Sequence, residues 1–319
     1  MSKTKSFLKV VLPLLLGVAL VWYSLSQISI STLVQYFKDA NYFWIILGVS
    51  LGVLSHASRA YRWLFMAEPL GYKPKFANSF MAVYSAYLIN FTIPRAGEIA
   101  RASILANYED VPFDKGFGSI VAERVADTIM LLIIIGVALI LKFKIIYDFF
   151  IEKFNPSTLF IGIAALLMLI FGLYFFIKRS SSKFALKVKS FIKGLIEGAL
   201  SIFKMKKKWA FIFHTVFIWV MYLAMFYVTT LALPELSNIS LAAVLIGFIM
   251  ASFSIAATNG GIGSFPEAIV IAFTVFSMSE DPSRAFGWIM WSSQTIVIIV
   301  LGGLSLTYLP IYNRKKNSI

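Results

Sequence analysis

The chain has 319 residues, of which 59% are hydrophobic and 14% charged, a formal charge of +14 and no cysteine. That leaves too little polar surface for a water-soluble body of this size, and it excludes a disulfide framework, a thiolate metal site and a thiol nucleophile. The positive charge flanks apolar runs instead of covering a soluble face, which suits membrane orientation and anionic lipid and argues against nucleic acid.

Apolar segments of about twenty residues recur along the chain, the length of a helix crossing a hydrocarbon layer of about 30 Å, so the expected fold is an all-α polytopic membrane protein. The first segment, 7–25, follows Lys3, Lys5 and Lys9. It reads as a transmembrane helix and not a cleaved signal peptide, because the run is long and no small-x-small site follows it. Further full spans are expected at 42–62, 118–141, 157–178, 209–232 and 285–309. Two other apolar stretches, 77–93 and 239–257, are each followed by a short, partly polar segment that breaks on Gly or Pro. The segment 183–203 spaces apolar residues three to four apart with lysines between, the pattern of a basic amphipathic helix on the inner leaflet.

Lysine and arginine near span ends assign the sides. Between Lys178 and Lys208 there are ten of them against one acid, Glu197, which makes that connection cytoplasmic. Counting from it and from the basic N-terminus, region 76–117 must begin and end inside, and region 239–284 must begin and end outside. Re-entrant helical hairpins satisfy both counts: 77–108 entering from the cytoplasmic side and 239–277 from the outside, alongside about six full spans. The two halves, 1–150 and 155–319, then read as an inverted-topology repeat within one membrane domain, joined by a basic cytoplasmic linker at 180–208. Both termini are expected in the cytoplasm and the protein in the cell (inner) membrane.

The hairpin tips are "TIPRAG" and "TNGGIGSFPE". Pro94 cannot continue a donor ladder, Gly97 follows it, and Gly260, Gly261 and Gly263 permit positive φ and close approach. The arms after them present helix N-termini suited to an anionic group. Arg95 and Arg101 add cationic readers of phosphate, and Glu98 shares a helix face with Arg101, so the two can pair at depth or anchor the hairpin at the headgroup level. Glu123 and Asp127 lie four apart, with Arg124 placed to pair with Asp127. They can form a relay, counter-ions for Arg95 and Arg101, or structural ion pairs. Glu267 is either protonated, paired across the interface between halves where it faces Glu98, or a surface group. Arg59 is deep enough to reach a substrate phosphate, while Arg62 beside Trp63 reads as a snorkelling interface anchor. His56 and His214, far apart and without carboxylates nearby, do not suggest a metal centre, and no cofactor is expected.

The motifs "PRAGEIAR" from Pro94 to Arg101, "ERVAD" from Glu123 to Asp127, and "GGIG" at 260–263 followed by Glu267 resemble, in that order, the lysylphosphatidylglycerol synthase transmembrane-region family of flippase-like membrane proteins. The resemblance covers most of the chain. It implies lipid handling, because family members include the flippase portion of the multiple peptide resistance factors, which move aminoacylated phosphatidylglycerol between leaflets. It also implies that Arg95, Glu98, Arg101, Glu123, Arg124 and Asp127 line a headgroup path. Two departures stand out. Only "YNRKKNSI" follows the last span, so aminoacyl lipid synthesis is not expected, and Ser-Phe-Pro separates "GGIG" from Glu267, where many relatives carry a closer acid.

The expected activity is lipid translocation, flippase- or scramblase-like and not enzymatic, with a membrane phospholipid or another lipid of anionic headgroup as partner and homo-oligomerisation open. No G-x-x-x-x-G-K-[ST] loop is present to bind nucleotide. The alternatives are a secondary transporter of a small anionic solute and an intramembrane enzyme acting on lipid-linked substrates.

Overall fold

The computed structural model describes residues 3–93, 95–153 and 205–314, with scattered positions between 157 and 189. Ten continuous α-helices are defined among these residues: α1 (Lys3–Ser26), α2 (Ile30–Asp39), α3 (Tyr42–Ala67), α4 (Phe76–Thr92), α5 (Gly97–Glu109), α6 (Phe113–Lys153), α7 (Lys208–Thr230), α8 (Leu241–Ala257), α9 (Ser264–Thr274) and α10 (Glu280–Tyr312). No strand occurs among the described residues. The expected span 157–178 falls largely outside them, as do the amphipathic segment 183–203 and the linker.

Local chemistry sets the helix starts. Asn41 accepts a hydrogen bond from the Phe43 N–H at 3.1 Å, Ser29 from Thr32 at 3.0 Å and Ser240 from Ala243 at 3.2 Å, each satisfying a donor that the first helical turn leaves orphaned. The Ser29 cap opens α2, an element the hydropathy pattern alone does not reveal. It turns away from Leu15–Ser26 by 84°.

Among the described residues, four helices are long and apolar enough to cross a membrane: Tyr42–Leu70, Phe113–Leu141, Lys208–Thr230 and Glu280–Tyr312, with the bent α1–α2 pair as a fifth. Exposed apolar side chains such as Trp22, Ile140, Phe213 and Val300 cover their outward faces, a surface made for lipid.

Helices α4 and α5 form an antiparallel hairpin. Asn78, near the start of α4, donates to Glu109 at the end of α5 at 2.5 Å, and at the other end the Gly97 N–H donates to Asn90 at 2.7 Å. The pair α8–α9 folds back in the same way, with Gly247 of α8 against Phe273 near the end of α9.

Side-chain contacts sort the loops into two ends. Asn78 exchanges two 2.9 Å amide bonds with Asn313, Lys207 pairs with Glu68 at 3.0 Å, and Lys115 lies over the Tyr72 ring, so residues 68–78, 109–115, 205–208 and 313 share one end. At the other, the Asn41 N–H donates to the Ala232 carbonyl at 2.9 Å, beside a core that includes Ile28, Leu33, Leu236 and Ile239.

In the middle α3 packs on α7, α4 on α10 and α6 on α8. Phe226, Phe248, Phe273 and Phe286 meet edge-to-face or stacked, with centroids 5.2–6.3 Å apart, and lock α7, α8, α9 and α10 together.

The two hairpin tips touch. A side chain at Gly260 would stand 2.6 Å from the Phe91 ring at the end of α4, and the Gly260 carbonyl accepts from the Trp291 indole at 2.8 Å. Gly263, at φ +68°, lies against the backbone of Leu20 and Val21, which brings α1 across the second tip where no Cβ would fit.

Candidate functional site

Five charged side chains meet between α3, α5 and α6. Arg59 of α3 donates to Glu123 at 2.6 Å and to Asp127 at 2.5 Å. Arg62, one turn on, donates to Asp127 at 3.0 Å and to Thr215 of α7 at 2.9 Å, and lies 3.2 Å from Glu123. Arg101 of α5 reaches the other Glu123 oxygen at 3.1 Å. Arg59, Arg62, Arg101, Glu123 and Asp127 are all less than a tenth exposed.

Spacing explains the convergence. Positions 59 and 62 lie three apart on α3, and 123 and 127 four apart on α6, so each pair projects from one helix face. Burying charge in a bilayer is costly unless it is paired, and here every member has an opposite partner within 3.2 Å. Arg101 and Arg62 also lie over the Trp63 and Phe211 rings. Even so, the Nε atoms of all three arginines and Nη2 of Arg101 are buried without a hydrogen-bond partner.

One turn toward the first hairpin tip is a rim pair: Arg124 of α6 donates to Glu98 of α5 at 2.9 Å, with side chains 45% and 26% exposed. Between this pair and Arg101 lies a recess of about 10 Å³, also lined by Tyr87, Asn90 and Gly97 and large enough for about one water. The second oxygen of Glu98 is buried there without a partner. Deeper in the bundle His56 sits among the rings of Tyr84, Tyr87 and Tyr222, its Nδ1 3.3 Å from the Tyr222 hydroxyl.

The second hairpin has its own ionic centre. Glu267 of α9 accepts from Ser24 of α1 at 2.6 Å and from Nε and Nη2 of Arg284 on α10 at 2.9 and 3.3 Å. The Arg284 side chain is 3% exposed.

Several sequence expectations take a different form in the structure. Arg62 does not snorkel; it is fully buried and belongs to the ion cluster, because α7 covers the α3 face that carries it. Glu98 bonds not to Arg101 but to Arg124, while Arg101 turns to Glu123, so the hairpin is tied to α6 rather than to itself. Glu123 and Asp127 are both counter-ions to Arg59 and Arg62, Glu123 is also the counter-ion to Arg101, and Arg124 stands 3.9 Å from Asp127.

Arg95 is exposed, in a left-handed conformation at φ 60°, with no hydrogen bond or ion pair to another described residue. Pro94 lies outside the described residues. Gly260, Gly261 and Gly263 all take positive φ at the second tip. Glu267 is bonded to Arg284 and Ser24, not to Glu98.

Three participants escape sequence reading: Arg62, Arg284 and Ser24. The available signal for Arg284 was an arginine near the start of an apolar helix, two residues after the acidic "SEDP" at 279–282. Among the described residues, no three of His, Asp and Glu gather as a metal site would require.

Long apolar helices around a buried, charge-paired centre define a polytopic helical membrane protein. The chain belongs to the family described as the lysylphosphatidylglycerol synthase TM region, whose sequence profile matches residues 10–303. It is also similar to a UPF0104 membrane protein of Methanocaldococcus jannaschii, 25% identical over 88% of each chain. No solved structure matches it.

Proposed function

We propose that the protein translocates lipid between leaflets: a headgroup enters the polar region between the hairpins while its acyl chains stay in the bilayer. The observation that carries this reading is the buried cluster of Arg59, Arg62, Arg101, Glu123 and Asp127 beside the half-exposed Glu98–Arg124 rim. Ionic side chains at this depth are retained for pairing or passage, and the unpartnered guanidinium atoms go beyond what pairing alone needs. Arg95 at the tip and Gly260, Gly261, Gly263 and Glu267 on the far side complete the path.

In this reading the hairpins are re-entrant. Each long arm of 17 residues spans about 25 Å, too short to cross with its headgroup regions, and two such arms meeting tip to tip match the full membrane thickness when tilted. The halves 1–150 and 155–319 form an inverted repeat. Support comes from the packing of α4 on α10 and α8 on α6, so that each hairpin lies against the span that closes the other half.

Lys73, Lys75, Lys115, Lys206 to Lys208 and Arg314 share the end where the first hairpin opens. This clustering supports a cytoplasmic first end, with both termini there, in a multi-pass protein of the cell membrane.

Reconstituted in vesicles, the protein should exchange a fluorescent anionic lipid between leaflets, and an Arg101→Lys/Arg124→Ala variant should not. Equal rates in the two would reject the site.

A further inference from the structure

We infer that the recess beside Arg101 takes a terminal phosphate, a phosphomonoester dianion, and that Glu98 is a tethered competitor for that position. The inference rests on the reading of this site as a headgroup path and names the headgroup chemistry.

Charge counting comes first. Arg59, Arg62 and Arg101 are buried with two carboxylates, Glu123 and Asp127, which leaves one guanidinium in excess. The excess falls on Arg101. Arg59 and Arg62 each contact both carboxylates, whereas Arg101 touches a single oxygen through Nη1. Its Nε and Nη2, the two donors of its side edge, are buried and without partners.

The second hairpin shows what that edge is built to hold. There the same two atoms of Arg284, Nε and Nη2, grip the Glu267 carboxylate at 2.9 and 3.3 Å. A planar fork of this kind matches two oxygens of a carboxylate or phosphate.

Around the Arg101 edge the recess gathers Arg124 and the positive end of the α5 dipole, both favourable to an anion, with the Gly97 N–H held by the Asn90 side-chain carbonyl. The anion that occupies this position is Glu98. One of its oxygens engages Arg124 and the other is buried in the recess without a donor.

With Glu98 in place the seven charged groups carry one net positive charge; with its carboxylate swung out they carry two. A phosphate dianion neutralises the second arrangement, and a diester leaves the half-exposed Arg124 without a counter-ion. At about 10 Å³ the recess admits no phosphate while Glu98 stays, so entry and release are exchanges between two anions on one set of donors. The partial exposure of Glu98 leaves it room to turn out.

The test uses the purified full chain at about pH 8, where a phosphomonoester is close to fully charged. Three probes are titrated: short-chain phosphatidic acid, phosphatidylmethanol (the same lipid with one phosphate oxygen esterified) and inorganic phosphate. Phosphatidic acid should bind about tenfold more tightly than phosphatidylmethanol. Glu98→Gln should tighten phosphatidic acid by about three- to tenfold, and Arg101→Lys should weaken it by about tenfold. Glu98 stands at the rim, so Glu98→Gln carries the test even where Arg101→Lys disturbs folding.

Equal affinity for the two lipids, or no gain in Glu98→Gln, overturns the dianion site while lipid exchange in vesicles leaves the translocator reading standing. Inorganic phosphate binding as tightly as phosphatidic acid, with the same gain in Glu98→Gln, keeps the dianion site and removes the lipid reading.

Discussion

The two hairpins close with the same chemistry and opposite degrees of commitment. Each places a glutamate in the first turn of its short arm and an arginine on the span that follows. In the second, Glu267 accepts two bonds from an arginine 3% exposed and a third from Ser24 of α1, which fastens α9 to both halves of the chain. In the first, Glu98 makes one 2.9 Å bond to an arginine 45% exposed, and among the described residues no third helix adds a bond to it. The second pair is a clamp. The first is a contact weak enough to be traded, set directly above a buried arginine cluster that holds the hairpin without it.

The largest effect expected from this contrast is on stability. Glu123→Ala leaves Arg59, Arg62 and Arg101 with Asp127 alone and should destabilise the protein by about 3–5 kcal/mol, enough to prevent recovery of folded protein in detergent. Glu267→Ala strips one arginine of its main partner and should cost about 1–3 kcal/mol, seen as a lowered thermal midpoint. An equal loss at both positions would remove the distinction between a multi-arginine centre and a single clamp.

Glu98→Gln should change stability by less than about 1 kcal/mol, as expected of a half-exposed pair. A loss on the scale of Glu267→Ala would mean that the first pair is also structural. The smallest change is at Arg95, whose left-handed backbone costs an ordinary residue and not glycine: Arg95→Gly should leave the midpoint unchanged or raise it by up to about 1 kcal/mol equivalent. If the arginine side chain holds the tip in place, the midpoint falls instead.

Sequence patterns located the helices well where apolar length and breakers coincide: α3, α4 and α8 begin or end within a few residues of the expected bounds, because Asn41, Ser240 and the tip residues stop them chemically. Spacing on one helix also brought Glu123 and Asp127 together. Pairing across helices was another matter. Glu98 and Arg101 share a helix face, and nothing local says that α6 offers Glu98 a better partner in Arg124. Arg62 read as an anchor because its neighbour is Trp63; only the packing of α7 over α3, which puts Thr215 beside it, makes it a buried member of the cluster. Arg284 lies 17 residues beyond Glu267, on a different helix, and its contact is a product of the fold.

The meeting of Phe91 with Gly260 bears on something other than binding. A polar route through a bilayer is also a potential leak, and a cell that stores energy as ion gradients cannot leave one open. In the re-entrant arrangement proposed above, the Phe91 ring lying on the bare Gly260 backbone, beside the Trp291 indole, becomes part of the insulation between the two compartments. On the proposed reading, a headgroup passing between the tips would displace a ring and not a helix, and the barrier to ions would re-form as the ring falls back.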